Sequence, residues 1–360
     1  RAACGPPPGA ARPRAALGVA AALLGAAGVP CCWATGRVVA VADLHGDWDH
    51  AVDILRASGL AEVLREGDEG PEGRPPTGAG PPLGRFRGAH WIGGDATLVQ
   101  TGDIVDRGDF ARDLYALFAE LRRQAPASGG RVVNLVGNHE LLNLMGDLRY
   151  VSKGDVEIFG GKDLRRAAWK PDGEVGRQIV EEFEPFAVVE GTLLVHAGLL
   201  PEDAALGPEA LRAALREALA EAAAGGQERS RLLKSHGPFW VRQFATGAEG
   251  TVCPQLDETL RLVGASRMIV GHTQVDEGRV KVRCGGKMLM ADTIISKNGY
   301  PECWRDGSMR KEGCAASRSY VEIRNGSAVA VMLTKVREDG TAEHMEETPI
   351  PIGEMLKQEL

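Results

Sequence analysis

Four of the eight histidines in this chain follow directly on short apolar runs, and each has acid, amide or glycine neighbours. Asp43 and His45 stand in 42-ADLHG-46, and Asp103, Asp106 and Arg107 in 102-GDIVDRGD-109. Asn138 and His139 stand in 137-GNHE-140, His196 opens 196-HAG-198, and His272 closes 271-GH-272. Carboxylate and imidazole together, without thiolate, suit a first-row transition metal. Asp43, His45, Asp103, Asn138, His196 and His272 make six candidate ligands, too many for one tetrahedral zinc and the right number for two metals sharing a carboxylate. Two ions about 3.5–4 Å apart can hold an attacking hydroxide and a phosphoryl oxygen together. Arg107 adds a planar fork suited to phosphate oxygens. Taken singly, an acid after a strand is a turn former and a lone histidine a hydrogen-bonded structural residue. The force lies in their conjunction, in order along the chain.

Such a site needs strands that end together. Residues 37–42, 97–100, 131–136 and 267–270 read as buried strands, and 186–195 as a hairpin turning at Glu190-Gly191. Helical spacing marks 49–60, 110–123 and 208–224, and GNHE opens a further helix. Hairpin-like strands follow at 279–283, 287–291, 319–324 and 328–334. Strand and helix alternate first and strands dominate later, which predicts an α/β sandwich with at least one mixed sheet. In open α/β sheets ligands bind beyond the carboxyl ends of strands, so the five motif-bearing ends should converge. Asp43 and His45 lie two apart, so an extended segment can present both to one ion. Gly46 lets the chain turn behind them. Ala42 is no ligand, and its methyl fits if its φ is negative.

The chain has 360 residues, 44% of them hydrophobic, with a formal net charge of −7, which gives no reason to expect nucleic-acid binding. Residues 1–36 contain no acid, carry several arginines and include the apolar run 15-AALGVAAALLGAAGV-29. That run is too short and too Ala/Gly-rich for stable membrane insertion. It reads as a targeting peptide for an organelle (chloroplast or mitochondrion) or for the secretory pathway. A disordered leader, leaving the protein cytoplasmic, is the other reading. One catalytic domain is expected over 37–350, with a Gly/Pro-rich insertion at 66–88 and a tail at 351–360. Cys253, Cys284, Cys303 and Cys314 lie beyond residue 250 and contain no CxxC, so a zinc knuckle is not expected. Two disulfides or four buried thiols remain open, with thiols the simpler expectation.

ADLHG, GDIVDRG, GNHE, HAG and GH together resemble the ordered motifs of the calcineurin-like metallophosphoesterases, in the PPP-type phosphatase branch. The longer stretch 137-GNHELLNLMGDLRYV-151, and 237-GPFWVR-242, are similar to the Shewanella-like protein phosphatases. The resemblance spans roughly residues 37–300. It implies a four-layer αββα sandwich of two mixed sheets with a dinuclear centre of Mn, Fe or Zn at its edge. It implies that Asp43 and His45 bind one metal, that Asp103 bridges, and that Asn138, His196 and His272 bind the other. His139 is implied as general acid with Asp106 hydrogen-bonded to it, Arg107 as the phosphate-holding residue, and Arg242 as a second phosphate contact. The chain departs from the eukaryotic PPP pattern at 291-ADTIISKNGY-300, where Asn-Tyr-Cys is absent, so regulatory-subunit binding is not carried over. Tyr300 is open between a site-facing and a core position.

The function these residues imply is metal-dependent phosphomonoester hydrolysis by a metal-activated hydroxide attacking in line. A phosphoprotein or phosphopeptide is the leading substrate class, with Ser/Thr or Tyr preference open. A hydrolase of dinucleoside polyphosphates or small phosphoesters is the alternative. A non-catalytic metal-binding scaffold fits less well, because every ligand and the acid are present. No cysteine beyond residue 36 stands in a CxxxxxR phosphate loop, which argues against a cysteine nucleophile in the catalytic domain.

Overall fold

The first strand, β1 (Val38–Val41), is buried along its whole length, and Val38 and Val39 are almost inaccessible. A β-branched run buried on both faces favours a central position in a sheet. The structure is a computed structural model that describes residues 36–64, 84–225, 230–301, 303, 315–337 and 342–351. These fall in one compact unit, Thr35–Leu360. Most of the expected leader, insertion and tail lies outside the described residues.

After β1 come α1 (Trp48–Ala57), β2 (Ala61–Val63), β3 (Ala89–Trp91) and β4 (Thr97–Gln100). Then follow α2 (Ala111–Gln124), β5 (Arg131–Asn134), α3 (Asn138–Leu144), α4 (Lys153–Ile158), α5 (Lys162–Ala168) and α6 (Glu174–Glu182). The hairpin β6 (Phe186–Val189) and β7 (Thr192–Val195) leads to α7 (Pro201–Ala204), α8 (Pro208–Ala223), α9 (Gln243–Thr246) and α10 (Glu249–Val263). The chain closes with β8 (Arg267–Val270), β9 (Lys281–Arg283), β10 (Met288–Met290), β11 (Arg318–Arg324), β12 (Ser327–Val336) and β13 (Ala342–Ile350).

Two mixed sheets form, with helices flanking them in the expected αββα sandwich. The first has the order β13-β12-β11-β1-β4-β5, with β1, β4 and β5 parallel and the rest antiparallel. The second has the order β6-β7-β8-β10-β9, with β7, β8 and β10 parallel. The helix α2 makes the crossover between β4 and β5, as parallel neighbours require. Glu190 and Gly191 both take positive φ, 47° and 65°, which is the two-residue turn expected for that hairpin.

The structure changes three expectations. Helix α1 stops at Ala57, short of residue 60, because Ser58 caps it and Gly59 turns left-handed at φ 64°. Where the spacing gives no element, residues 152–185 carry three short helices, Glu249–Val263 forms α10 and 342–350 add an edge strand. Cys253 on α10 and Cys284 after β9 form a disulfide with a Cα–Cα separation of 5.4 Å. Cys303 is disulfide-bonded as well, so the buried-thiol expectation fails for these three residues. Cys314 lies outside the described residues.

Candidate metal-dependent active site

Each motif follows a strand, and the five strands belong to two sheets. The ends of β1, β4 and β5 supply Asp43, His45, Asp103, Asp106, Arg107, Asn138 and His139, while β7 and β8 supply His196 and His272. The loops after β1 and β4 are bonded together. Leu44 and His45 N–H both donate to Asp103 O at 3.0 Å, and Gly108 N–H donates to His45 O at 2.9 Å. Gly46 sits at φ 67°, and a Cβ there would lie 2.6 Å from Gly108 C, so its absence permits this contact. Ala42 is buried and is not among the residues with positive φ, so its methyl is unstrained. His45, Asp103, Asp106, Arg107 and His272 do take positive φ, between 42° and 72°. Left-handed backbone is unusual for such residues and clusters where surrounding structure enforces it.

The side chains then converge. Donor atoms of His45, Asp103 and His139 lie within 4.8 Å of one another, and so do those of Asp103, His196 and His272. Asp103 is common to both sets. Asp43 falls outside both. Its carboxylate accepts the His272 N–H on both oxygens, at 3.1 and 3.0 Å. His45 Nδ1 donates to Val105 O at 3.0 Å, and His196 Nδ1 donates to Thr101 O at 2.9 Å. His272 Nε2 donates to Trp240 O at 3.2 Å. In each ring a backbone carbonyl takes the proton and leaves the other nitrogen bare toward the site, as in histidines that ligate metals. His196 Nε2 then faces Asn138 Oδ1 at 2.9 Å. Two acceptors so close call for a cation between them.

Electrostatics agree. Burial pushes His45 down to about 3 and His272 down to about 2, and lowers His196, so all three are neutral. Burial, with Asp292 and Asp103 nearby, raises Asp43 well above the usual carboxylate range, and burial raises Asp292 to about 6. Burial opposes Asp103 ionisation too, but positive charge at the surrounding imidazole positions, His196 foremost and then His139, His45 and His272, outweighs it and holds the carboxyl low; with three of those rings neutral, bound cations are the groups that supply such charge. Buried acids and neutral imidazoles facing one another fit bound cations, and carboxylate, amide and imidazole donors fit first-row metals.

His139 differs from the other three imidazoles. Burial lowers its pKa, yet Asp103 and Asp106 outweigh burial and raise it. Its Nδ1 bonds Asp106 Oδ2 at 2.7 Å, and its ring packs edge-on against His45 at 4.7 Å. Arg107 makes no ion pair among the described residues. Its guanidinium lies 4.7 Å from the Tyr300 ring and 5.6 Å from the Tyr150 ring. Tyr300 lies 6.1 Å from the His45 ring, so it faces the site. Arg242 donates to His272 O at 2.9 Å and to Thr273 Oγ1 at 3.0 Å, beside the second donor set.

The family profile of the calcineurin-like phosphoesterases matches residues 36–276. The chain belongs to this family. The phosphoesterase is 33% identical over 268 residues to an uncharacterised protein of Schizosaccharomyces pombe, covering 71% of this chain and 72% of that one. It is 26% identical over 313 residues to Shewanella-like protein phosphatase 2 of Arabidopsis thaliana, covering 74% of each. Its fold matches the crystal structure of a cold-active protein-tyrosine phosphatase of a psychrophilic Shewanella species, with a TM-score of 0.61 and 22% identity over 88% of this chain and 80% of that one. These relatives bear out the Shewanella-like, PPP-type resemblance, and the chain is a metal-binding phosphoester hydrolase.

The phosphoesterase also uses residues to which the motif reading gave no role. The buried Glu140 carboxylate accepts the N–H groups of Asp103, Ile104 and Gly137 at 2.8–2.9 Å and the Tyr115 hydroxyl at 2.9 Å. Its place in GNHE was the available signal. Asn143 donates to Asp106 Oδ1 at 3.0 Å, Arg165 donates to Asn143 Oδ1 at 2.8 Å, and Arg165 Nε donates to Asp155 Oδ2 at 2.6 Å. That chain holds Asp106 from behind, and nothing in sequence spacing ties Arg165 to Asp106. Asp292 lies in a stretch noted only for what it lacks.

Proposed function

We propose that the protein is a phosphoprotein phosphatase that uses two metal ions held by Asp43, His45, Asp103, Asn138, His196 and His272. The observation that carries this reading is the meeting of both donor sets on Asp103, with His139 of the first set hydrogen-bonded to Asp106. The Shewanella-like protein phosphatases of Arabidopsis thaliana and Plasmodium berghei support the substrate class.

When bound, the metals supply a water acidic enough to attack as hydroxide near neutral pH and charge to offset the phosphoryl oxygens. The remaining work falls to side chains. Arg107 and Arg242 hold the substrate phosphate oxygens. The flanking Tyr150 and Tyr300 rings set the Arg107 guanidinium plane. As the new P–O bond forms, the ester P–O bond breaks, and His139 delivers its proton to the departing oxygen. Asp106 holds the ring so that Nε2 faces that oxygen. Asn143 and Arg165 hold Asp106 in turn.

The test is turnover of phosphotyrosine and phosphoserine peptides, side by side with manganese present, and elemental analysis of bound metal. Two metal ions per chain and turnover of at least one peptide are expected. No turnover of either, with rapid cleavage of a dinucleoside tetraphosphate, overturns the reading. We also propose an oxidising compartment as the working location. The Cys253–Cys284 bond supports it, and a free-thiol titration of protein from its native compartment that finds both cysteines reduced would overturn it.

A further inference from the structure

Exposed large apolar side chains recur in the segment that follows the helix opened by Asn138 and His139. Met145 (43% exposed), Leu148 (41%), Tyr150 (42%) and Leu164 (60%) fall within twenty residues of sequence. The same segment lines an open cavity of about 620 Å³, whose apolar lining is Leu148, Val151 and Val156. That volume lies inside the range of about 300–1,000 Å³ typical of ligand sites. It is contiguous with the chemistry. The Tyr150 ring stands 4.9 Å from the His139 ring, and Tyr150 O accepts the Arg107 N–H at 2.9 Å. Ser152 on the cavity wall donates to Asp109 Oδ1 at 2.6 Å, with Gly108 O at 3.2 Å beside it. The floor is fixed by Arg165, buried between Asp155 and Asn143. The wall is therefore built before a ligand arrives.

Its rim is basic in a chain of net charge −7. Lys153 and Lys162 are exposed and make no ion pair among the described residues. Among the described residues Arg166 pairs only with the exposed Asp163, at 3.3 Å, and Glu157 is the one acid in the lining. Unpaired cations around an apolar cavity complement a segment that offers both carboxylates and an aliphatic side chain. A phosphate held at Arg107 leaves the cavity beyond Tyr150 to the residues next to the phosphorylated one.

We propose that residues 145–166 form a substrate-docking surface that takes an aliphatic side chain in the cavity and carboxylates on Lys153 and Lys162 from the segment flanking a phosphorylated residue. The proposal rests on the phosphoprotein-phosphatase reading and adds to it a preference for acidic, aliphatic flanks.

The test uses the full metal-loaded chain and three substrates: p-nitrophenyl phosphate and two phosphopeptides of equal length, one flanked by Leu, Asp and Glu, the other by Ser and Lys. The wild type should favour the acidic peptide about tenfold in kcat/KM, through KM. The Lys153→Glu/Lys162→Glu variant should erase or invert that ratio. Leu148→Ser should raise KM for the acidic peptide. Each should leave p-nitrophenyl phosphate turnover within about twofold. These lysines are exposed and make no ion pair among the described residues, so charge reversal does not threaten the fold. Equal turnover of both peptides by the wild type overturns the docking surface and leaves the phosphatase reading standing. Parallel loss of p-nitrophenyl phosphate and peptide turnover in the variants also overturns it. Hydrolysis of p-nitrophenyl phosphate with neither peptide cleaved overturns both proposals.

Discussion

His139 and the three other buried imidazoles share one small volume, yet their surroundings push them in opposite directions. Burial leaves His45, His196 and His272 neutral, while Asp103 and Asp106 raise His139 against the same burial. A general acid works only while protonated, so a raised His139 pKa carries activity to higher pH and loses it as pH rises through that value. Asp106→Asn removes one of the two raising charges. The alkaline limb of the kcat profile is then expected to move to lower pH, with kcat falling about tenfold. His139→Asn should lower kcat about 10²–10⁴-fold while elemental analysis finds the metal retained, which separates an acid from a ligand. Asp103→Asn should instead lose metal, because both donor sets depend on it. At the strand end itself, Asp43→Ala should abolish turnover, and Ala42→Gly should change it little, since Ala42 is unstrained. The types and spacing of these residues were legible in the sequence because strand-end loops carry chemistry locally. The split between acid and ligands was not legible from spacing, since it depends on which carboxylates lie across the site.

At the scale of elements, α3 joins the two loops of the first sheet. Its Glu140 receives N–H groups from the loop after β4 and from Gly137 at its own start, plus the Tyr115 hydroxyl from α2. Burial, then Asp103, raises Glu140 to about 7, which shows how crowded with acid this centre is. Glu140→Ala would strand three backbone donors and a hydroxyl, and is expected to cost about 3 kcal/mol in denaturant unfolding. Tyr115→Phe, which removes one partner of four, should cost about 1 kcal/mol. The strands that carry the motifs were readable because buried β-branched runs are self-evident. The short helices α4–α6 were not, because segments of six to nine residues carry too few turns for a periodic signal. Strand β13 is rich in charged residues and lies at a sheet edge, so it carries no apolar run by which a buried strand is read.

For the whole molecule, the site exists only where two sheets meet. Three strand ends come from one sheet and two from the other, so relative displacement of the sheets would separate Asp103 from His196 and His272. The Cys253–Cys284 bond ties α10 to the edge of the second sheet across 31 residues. Cys253→Ser, or reductant, is expected to lower stability by about 2–4 kcal/mol, read as a fall in Tm with metal content unchanged. Sequence alone determined the donor types, their order and an α/β sandwich, because each motif is a short segment whose chemistry and backbone preference are written locally; the αββα layering was implied by the family resemblance those motifs carry. The bridging place of Asp103 was implied by the resemblance, but tertiary structure alone decided that Asp43 falls outside both donor sets, that His196 and Asn138 present facing acceptors, that Arg165 stands behind Asp106 and that the cysteines pair. Those facts depend on distances between residues 30 to 170 positions apart, which packing sets and spacing along the chain does not.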